Sequence, residues 1–356
     1  MNDRSIDNLA GGGGQTSGEI FHEIISLPNL LRALKEFKRG KSKNPEVVLF
    51  ELYLEDNIFK LHNDLIYKKF IHDPYEDFYI CDPKRRHIHK ASVRDRLLHQ
   101  AVFRILYPTF NKHFIFDSYS SRKFKGTHLG VIRLAKAGGK ITENWRRKAY
   151  ALKCDIRKFF DSIDHEILED LIAKKISEKE TLGFIEMLLK TFEKAPGKGL
   201  PLGNVTSQLF ANVYLNELDQ YVKHILKIKY YFRYCDDFVI LSDNKEYLEG
   251  IIEKVKSFVL EKLKLELHPN KISIRKFRQG IDFLGYVILP DAAVIRTKTK
   301  NRILRKIDLA VKNFNQSLID KSTLRGTIDS YLGVLSHCRA REIREKITKT
   351  KESLIK

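Results

Sequence analysis

From Glu19 to about Phe70, apolar residues recur at three- and four-residue steps, as in "LPNLLRALKEFKRG". That spacing predicts helices, with a stop at Gly40. The eighteen residues before it end in "GGGGQTSG" and read as a flexible leader that buries nothing. "DFYICDPKRRHIHKAS" alternates in the manner of strand and breaks at Pro83, and "SVRDRLLHQAVFRILYPTF" returns to helical spacing with Ser92 as its N-cap. "DSYSSRKFKGTHLGVIRLAKA" predicts a polar, Gly-containing loop that runs into another helix. "YALKCDIRKFFDSIDHEIL" predicts an apolar strand ending at Asp155, then an amphipathic helix. A Gly/Pro-rich turn from Gly197 to Gly203 should open a helix near Ser207, with Leu209, Phe210, Val213, Leu215 and Leu218 as its apolar face. In "YYFRYCDDFVILS", aromatic and β-branched runs flank Asp236 and Asp237, which predicts a hairpin with two carboxylates at its tip.

Asp is a common turn residue, so a solvated turn is the plain reading of that tip. Two adjacent carboxylates beside a buried sheet nevertheless repel, unless a cation offsets their charge. A hard divalent ion takes one or two carboxylates, and Asp155 supplies a third at another strand end. Three carboxylates on adjoining strands suit two-metal phosphoryl transfer, in which positioning and charge neutralisation replace a covalent nucleophile. The glycines of the 197–203 turn allow close backbone approach to a ligand.

Composition narrows the partner. The 356 residues carry a formal net charge of +20, from 65 Lys+Arg against 45 Asp+Glu. An excess of this size points to a polyanion, because a basic surface gains affinity by releasing counterions from phosphates. With no apolar run of 18 residues, no lipidation signal and no secretory core, nucleic acid is expected rather than membrane. Cys81, Cys154, Cys235 and Cys338 fit neither zinc spacing nor a disulfide framework, so a reducing, cytoplasmic setting is expected. Cys235 reads as a small hydrophobe filling a strand position.

Asp155 followed by Phe159 and Phe160, then G-x-x-x-S from Gly203 to Ser207, then Y-x-D-D from Tyr234 to Asp237 resembles the palm of a reverse transcriptase. The chain is similar, over residues 25 to 340, to the bacterial group that includes group II intron and retron enzymes. "DRLLHQAV", "DSYSSRKFKGTH", "LPLGNVTSQLFANVYLNELD", "RYCDDFVIL" and "GIDFLGYVI" sharpen the likeness. Most of the family carries Q-G-x-x-x-S-P where this chain has Leu202-Gly203-Asn204-Val205-Thr206-Ser207-Gln208. The S-Q ending resembles diversity-generating retroelement enzymes, which copy template adenines with errors; antiphage-defence reverse transcriptases are close relatives. The V-T-G string of retrons is missing, and the expected absence of a protease, endonuclease or maturase-like domain disfavours an intron-mobility protein.

The resemblance implies an α+β fold of right-hand polymerase type, with fingers, a palm of antiparallel sheet flanked by helices, and a helical thumb. The expected divisions are a leader (1–18), N-terminal helices and fingers (19–148), palm (149–290, with 165–200 left open between palm and fingers) and a basic helical thumb (291–356). It implies Asp155, Asp236 and Asp237 as catalytic metal ligands with the Ile156 carbonyl nearby, for two Mg²⁺ ions that Mn²⁺ can replace. Lys84, Arg85, Arg86 and Arg122 would grip the triphosphate, Phe160 would reject a ribose 2′-hydroxyl, and Lys271 would protonate the leaving pyrophosphate. Leu202, Gly203 and Gln208 would line the dNTP site. "DFLGY" matches the primer grip, with Phe283, Leu284, Gly285 and Tyr286. Residues 291–356 hold 16 Lys+Arg against 7 Asp+Glu, a net of +9. Arg296, Lys298, Lys300, Arg302, Arg305 and Lys306 are therefore expected on a nucleic-acid backbone.

The expected activity is RNA-directed DNA synthesis from dNTPs, on an RNA template that ends as a duplex with DNA product. A structured noncoding RNA and an accessory protein (basic and oligomeric, for a diversity-generating retroelement) are further expected partners. The alternatives are an antiphage-defence reverse transcriptase working with a noncoding RNA and, remotely, an RNA-binding protein with a decayed polymerase palm.

Overall fold

The computed structural model describes residues 19–82 and 84–355; the predicted leader and the break at Pro83 lie outside the described residues. The N-terminal periodicity resolves into α1 (Glu19–Ile25), α2 (Leu27–Phe37), α3 (Pro45–Leu52) and α4 (Leu54–Ile66). Ser26 and Asn44 cap α2 and α3 through their side chains, and each helix begins with a proline in its first turn, where the missing N–H costs nothing. Helix α2 ends at Phe37, before the expected stop, and Gly40 occupies the following turn at φ +70°. Strands β1 (Glu76–Ile80) and β2 (Arg86–Lys90) form an antiparallel hairpin. Its expected in–out alternation is not seen, because β1 is exposed along its whole length.

Helix α5 (Val93–Asn111) is capped by Ser92, whose hydroxyl accepts from the Asp95 amide at 3.2 Å. Then follow α6 (Thr127–Ile141), β3 (Tyr150–Asp155), α7 (Phe159–Ser162), α8 (His165–Ala173), α9 (Lys179–Lys190) and α10 (Val205–Gln220). Within 165–200, left open between palm and fingers, α8 packs on α10 and α9 on α1. Helix α10 begins at Val205, two residues before the expected start. It is buried on nearly every side, Thr206, Ser207, Asn212 and Asp219 included, so no single apolar face describes it.

Strands β4 (Tyr230–Tyr234) and β5 (Asp237–Ser242), helix α11 (Lys245–Leu263) and β6 (Ser273–Lys276) complete the centre. The sheet runs β4-β5-β3-β6, antiparallel throughout. Alternation along its strands divides the apolar side chains between two cores. Leu152, Cys154, Tyr231, Phe238 and Ile240 join the N-terminal helices, α8 to α11 included. Ala151, Phe232, Val239 and Leu241 join α6 and the C-terminal elements. A second sheet of β7 (Ile281–Phe283), β8 (Tyr286–Ile288) and β9 (Ala293–Ile295) leads to α12 (Thr297–Asn315), α13 (Lys321–Leu335) and α14 (Arg341–Ile355). Because β9 pairs with β8, the C-terminal helical part starts at Thr297 rather than at residue 291. No helix among the described residues is long and apolar enough to cross a membrane.

Among the described residues, one ion pair is fully buried at both ends. Arg233 on β4 and Asp219 on α10 are both fully buried and meet through two hydrogen bonds, Nε–Oδ1 at 2.7 Å and Nη2–Oδ2 at 2.6 Å. Asp219→Asn keeps the shape but leaves the guanidinium uncompensated, which should cost about 3–5 kcal/mol in urea unfolding. An Asp219→Leu/Arg233→Met double variant should lose less than that single change. A cost below about 1 kcal/mol for Asp219→Asn would show that the pair does not hold these elements.

Candidate active site

Register makes the site. In the β3–β5 pair Asp155 stands directly opposite Asp237, so both carboxylates project on one face, with Lys153 two residues before Asp155 on the same face. Asp236 follows Cys235 in the two-residue turn between β4 and β5, where Cys235 takes φ +55°. A side chain at positive φ is strained by on the order of 1 kcal/mol, and Arg233 holds it there by donating to the Cys235 carbonyl at 3.1 Å. Cys235 is thus a turn residue, not the strand filler expected from sequence. Burial pushes its thiol and that of Cys154 up to about 12, so neither supplies a thiolate at neutral pH. The Ile156 amide donates to the Asp236 carbonyl at 3.2 Å and the His268 amide to that of Asp155 at 2.7 Å, stitching three segments together.

The carboxylates are short of positive charge. Asp155 Oδ1 accepts from Lys271 Nζ at 2.6 Å, and Asp237 Oδ2 lies 3.0 Å from Lys153 Nζ. Asp237 Oδ1 is buried with no hydrogen-bond partner. Burial drives the Asp237 carboxyl up to about 6, with Asp155 and Asp236 adding repulsion and Lys153 opposing. Burial, then the charge of Asp155, likewise raises Asp236. An oxygen-only donor set with one buried oxygen unpaired fits a hard divalent ion.

These groups open into a cleft of about 590 Å³. Lys84 and Arg86 reach it from the β1–β2 hairpin, Phe160 from α7, Leu202 and Gly203 from the turn before α10, and Ser207 and Gln208 from the first turn of α10. Phe160 is half-buried at the cleft while Phe159 is core. At Gly203 (φ +146°) a Cβ would stand 2.7 Å from the His89 carbonyl, and the His89 amide donates to the Leu202 carbonyl at 3.0 Å. The glycine therefore admits strand β2, where sequence suggested a ligand. Asn204 bonds Tyr75 at 3.0 Å and His99 at 2.9 Å, and His99 meets Thr206 at 2.8 Å. Burial holds His99 neutral, pushing its imidazole down to about 3. Half of the polar Asn-Val-Thr-Ser-Gln run is thus spent on anchoring the turn. A second opening of about 360 Å³ shares Lys84, Asp155, Asp237 and Lys271 and continues past Lys153 to Arg296.

The reverse transcriptase (RNA-dependent DNA polymerase) family matches residues 80–288, which carry all of this geometry except Tyr75 and Arg296. The chain belongs to that family. Protein YkfC of Escherichia coli is 26% identical over 248 residues, covering 58% of this chain and 64% of that protein. The group II intron-encoded protein LtrA of Lactococcus lactis is 25% identical over 350 residues, covering 78% of this chain and 54% of that protein. The chain therefore spans between half and two thirds of the length of these relatives. Among solved structures, apo telomerase from Candida tropicalis has the same fold at a TM-score of 0.52, with 12% identity over 79% of this chain and 57% of that chain.

Of the residues that the reverse transcriptase likeness singles out, Asp155, Asp236, Asp237, Lys271, Lys84, Arg86, Phe160, Leu202, Gly203, Gln208 and Leu284 share one cleft. Arg122 does not reach it: the guanidinium is consumed by Asn111 and the carbonyls of Ile115 and Ser118, at 2.6 to 2.9 Å. Arg85 lies over the Tyr79 ring at 4.2 Å and also stays off the cleft wall. Phe283 and Tyr286 are buried, Tyr286 donating to the Val334 carbonyl at 3.0 Å, while half-buried Leu284, in the tight turn with Gly285, reaches the cleft. Arg296 pairs with Asp282 at 2.9 Å and Lys306 with Asp82 at 3.2 Å. Lys298, Lys300 and Arg305 are exposed on α12 and Arg302 is half-buried. Sequence reasoning missed Lys153, although its i−2 spacing from Asp155 on a strand was a usable signal.

The Asp237 shift sets a sign for pH. A carboxyl raised from 3.8 to about 6 binds its proton more tightly in the folded state, so its stabilising contribution is full below about pH 4 and lost as pH rises through 6. Asp237→Asn should therefore raise the stability of the chelator-treated protein at pH 7.5 relative to pH 4, by on the order of 2–3 kcal/mol in urea unfolding. An equal effect at both pH values would mean that Asp237 titrates normally.

Proposed function

We propose that the chain is an RNA-directed DNA polymerase, extending a primer 3′-hydroxyl with dNTPs and releasing pyrophosphate. The observation that carries this reading is the convergence of Asp155, Asp236 and Asp237 at one sheet end, with a buried carboxylate oxygen unpaired, in a cleft walled by basic side chains. Asp155, Asp236 and Asp237 would hold two divalent ions, Mg²⁺ or Mn²⁺. When bound, such ions lower the proton affinity of the attacking hydroxyl and offset the charge of the phosphates. Lys84 and Arg86 offer the triphosphate positive charge without a covalent step. Lys271, whose Nζ donates to Asp155 at 2.6 Å, would serve as the donor to a leaving pyrophosphate. The half-buried ring of Phe160 excludes a 2′-hydroxyl by clash. We assign the fingers to the N-terminal helices with the β1–β2 hairpin, the palm to the central sheet, and the thumb to α12–α14, whose exposed cations suit a template–product backbone.

Asp236→Asn should reduce extension of oligo(dT) on poly(rA) by at least about a hundredfold while leaving RNA affinity within twofold, because the change touches charge at the reacting phosphate only. Near-normal extension in Mg²⁺ would remove the two-ion assignment and leave an RNA-binding protein with a decayed palm.

We further infer error-prone synthesis in a diversity-generating retroelement, with a structured RNA template and an accessory protein. Support comes from Leu202, half-buried at the cleft with its carbonyl engaged by His89, where the family has a glutamine beside the incoming nucleotide. An apolar side chain offers contact without a geometry-dependent hydrogen bond, so a mispaired nucleotide leaves no polar group unsatisfied. One hydrogen bond is worth about 1 kcal/mol net. Leu202→Gln should therefore lower misincorporation opposite template adenine about fivefold in sequenced cDNA. Accurate copying of adenine by the unaltered protein would favour the antiphage-defence role instead.

A further inference from the structure

Outside the cleft, one cluster of side chains has the composition of a transition-metal site. Asp77 on β1 and His87 and His89 on β2 lie on one face of the hairpin, because Asp77 and His89 are register partners and His87 is two residues away. One ligand atom from each lies within 4.8 Å of the others. His89 Nδ1 is 2.6 Å from Asp77 Oδ1, and His87 Nε2 is 3.4 Å from Asp77 Oδ2. We propose that Asp77, His87 and His89 bind one divalent transition-metal ion, Zn²⁺ above others, which clips β1 to β2.

Ligand chemistry selects the metal. Two imidazoles and one carboxylate suit Zn²⁺ and its neighbours, whereas Mg²⁺ and Ca²⁺ prefer oxygens alone. With metal–ligand bonds of about 2.0–2.1 Å, tetrahedral donors lie about 3.3 Å apart. The His87–Asp77 separation already matches that spacing. The His89–Asp77 pair must open by about 0.7 Å, which a half-exposed Asp77 side chain can do by rotation. Both rings are already oriented: His87 stacks on Tyr79 at 4.6 Å and 10°, and His89 packs on Phe192 at 4.5 Å. Orientation before binding reduces the entropy lost when an ion arrives. A protein with three ligands leaves a fourth position for water.

The location gives the ion a task. A two-stranded ribbon is marginal in isolation, and β1 is exposed throughout. Three bonds from one ion to both strands would fix the ribbon that carries Arg86 to the cleft and whose His89 backbone seats the Leu202–Gly203 turn. The ligand triad and Arg86 lie on opposite faces of the ribbon, so occupancy leaves the cleft open. This proposal stands whether or not the polymerase reading does.

The test is a Co²⁺ titration of tag-free, full-length, chelator-treated protein, read by visible absorption. One equivalent of Co²⁺ should give a four-coordinate spectrum that Zn²⁺ abolishes and excess Mg²⁺ does not. His87→Gln and Asp77→Asn should each weaken Co²⁺ binding at least tenfold, and Asp236→Asn should leave it unchanged. His89→Gln also disturbs packing on half-buried Phe192, so His87→Gln, whose stacking partner Tyr79 is itself exposed, is decisive. Absence of the spectrum in the unaltered protein, its persistence in His87→Gln, or its loss in Asp236→Asn would each overturn the assignment.

Discussion

The buried pairing of Arg233 with Asp219 is the constraint on which the site depends. Desolvating two charges is expensive, and the cost is offset only by good geometry and further hydrogen bonds to the charged groups. Here each nitrogen and oxygen of the pair is engaged: Tyr231 donates to Asp219 at 2.8 Å, and Arg233 donates also to Asn212 at 3.2 Å and to the Cys235 carbonyl at 3.1 Å. The Arg233 main chain adds two bonds, from its amide to the Asp117 carbonyl and from the Tyr119 amide to its own carbonyl. One residue therefore fixes α10, β4, the segment 117–119 and the strained turn at Cys235. An apolar replacement could keep the core dense but would have no donor for the Cys235 carbonyl.

The site itself is arranged the opposite way, with charge left unbalanced. Three carboxylates meet two ammonium groups, and one buried oxygen of Asp237 has no partner at all. Folding pays for this with a proton affinity at Asp237 well above that of a free carboxylate. The same imbalance is what makes a divalent cation welcome, since it supplies in one step what protons or lysines supply only in part. Rigidity at Arg233 and deficit at Asp237 are complementary: a carboxylate cluster that could relax apart would relieve its repulsion by moving rather than by binding.

Much of this was legible in the sequence because the relevant patterns are local. Strand β3, the hairpin around Asp236 and Asp237, and the Ser92 cap of α5 follow from alternation and capping chemistry within a few residues. The structure adds what depends on distant partners. Arg122 reads as a phosphate ligand in sequence, yet three acceptors between Asn111 and Ser118 close around it. Phe283 and Tyr286 fall in the expected motif, but the β7–β8 pairing turns both inward. The anchoring of Asn204 and Thr206 depends on His99, more than a hundred residues earlier, and no short-range signal marks such a contact. The five apolar residues expected on helix α10 are all buried, but the burial of its polar residues was not legible for a related reason. An all-round buried helix uses Asn212 and Asp219 as internal hydrogen-bonding groups, so their polarity imitates a solvent face.

Strand β2 shows how one short element serves several ends. Its period of two sends Arg86 and Ile88 to one face and His87 and His89 to the other. Ile88 and the His89 carbonyl lie closest to where a Cβ at Gly203 would be, so the strand is pressed against the turn that walls the cleft. Any tilt of β2 must therefore carry Arg86 and the Leu202–Gly203 backbone with it, because the 3.0 Å bond between His89 and Leu202 crosses that contact. A side chain at position 203 would push the strand away and move two walls of the cleft together. The glycine is thus a condition of coupling between hairpin and turn, more than a hinge in its own right.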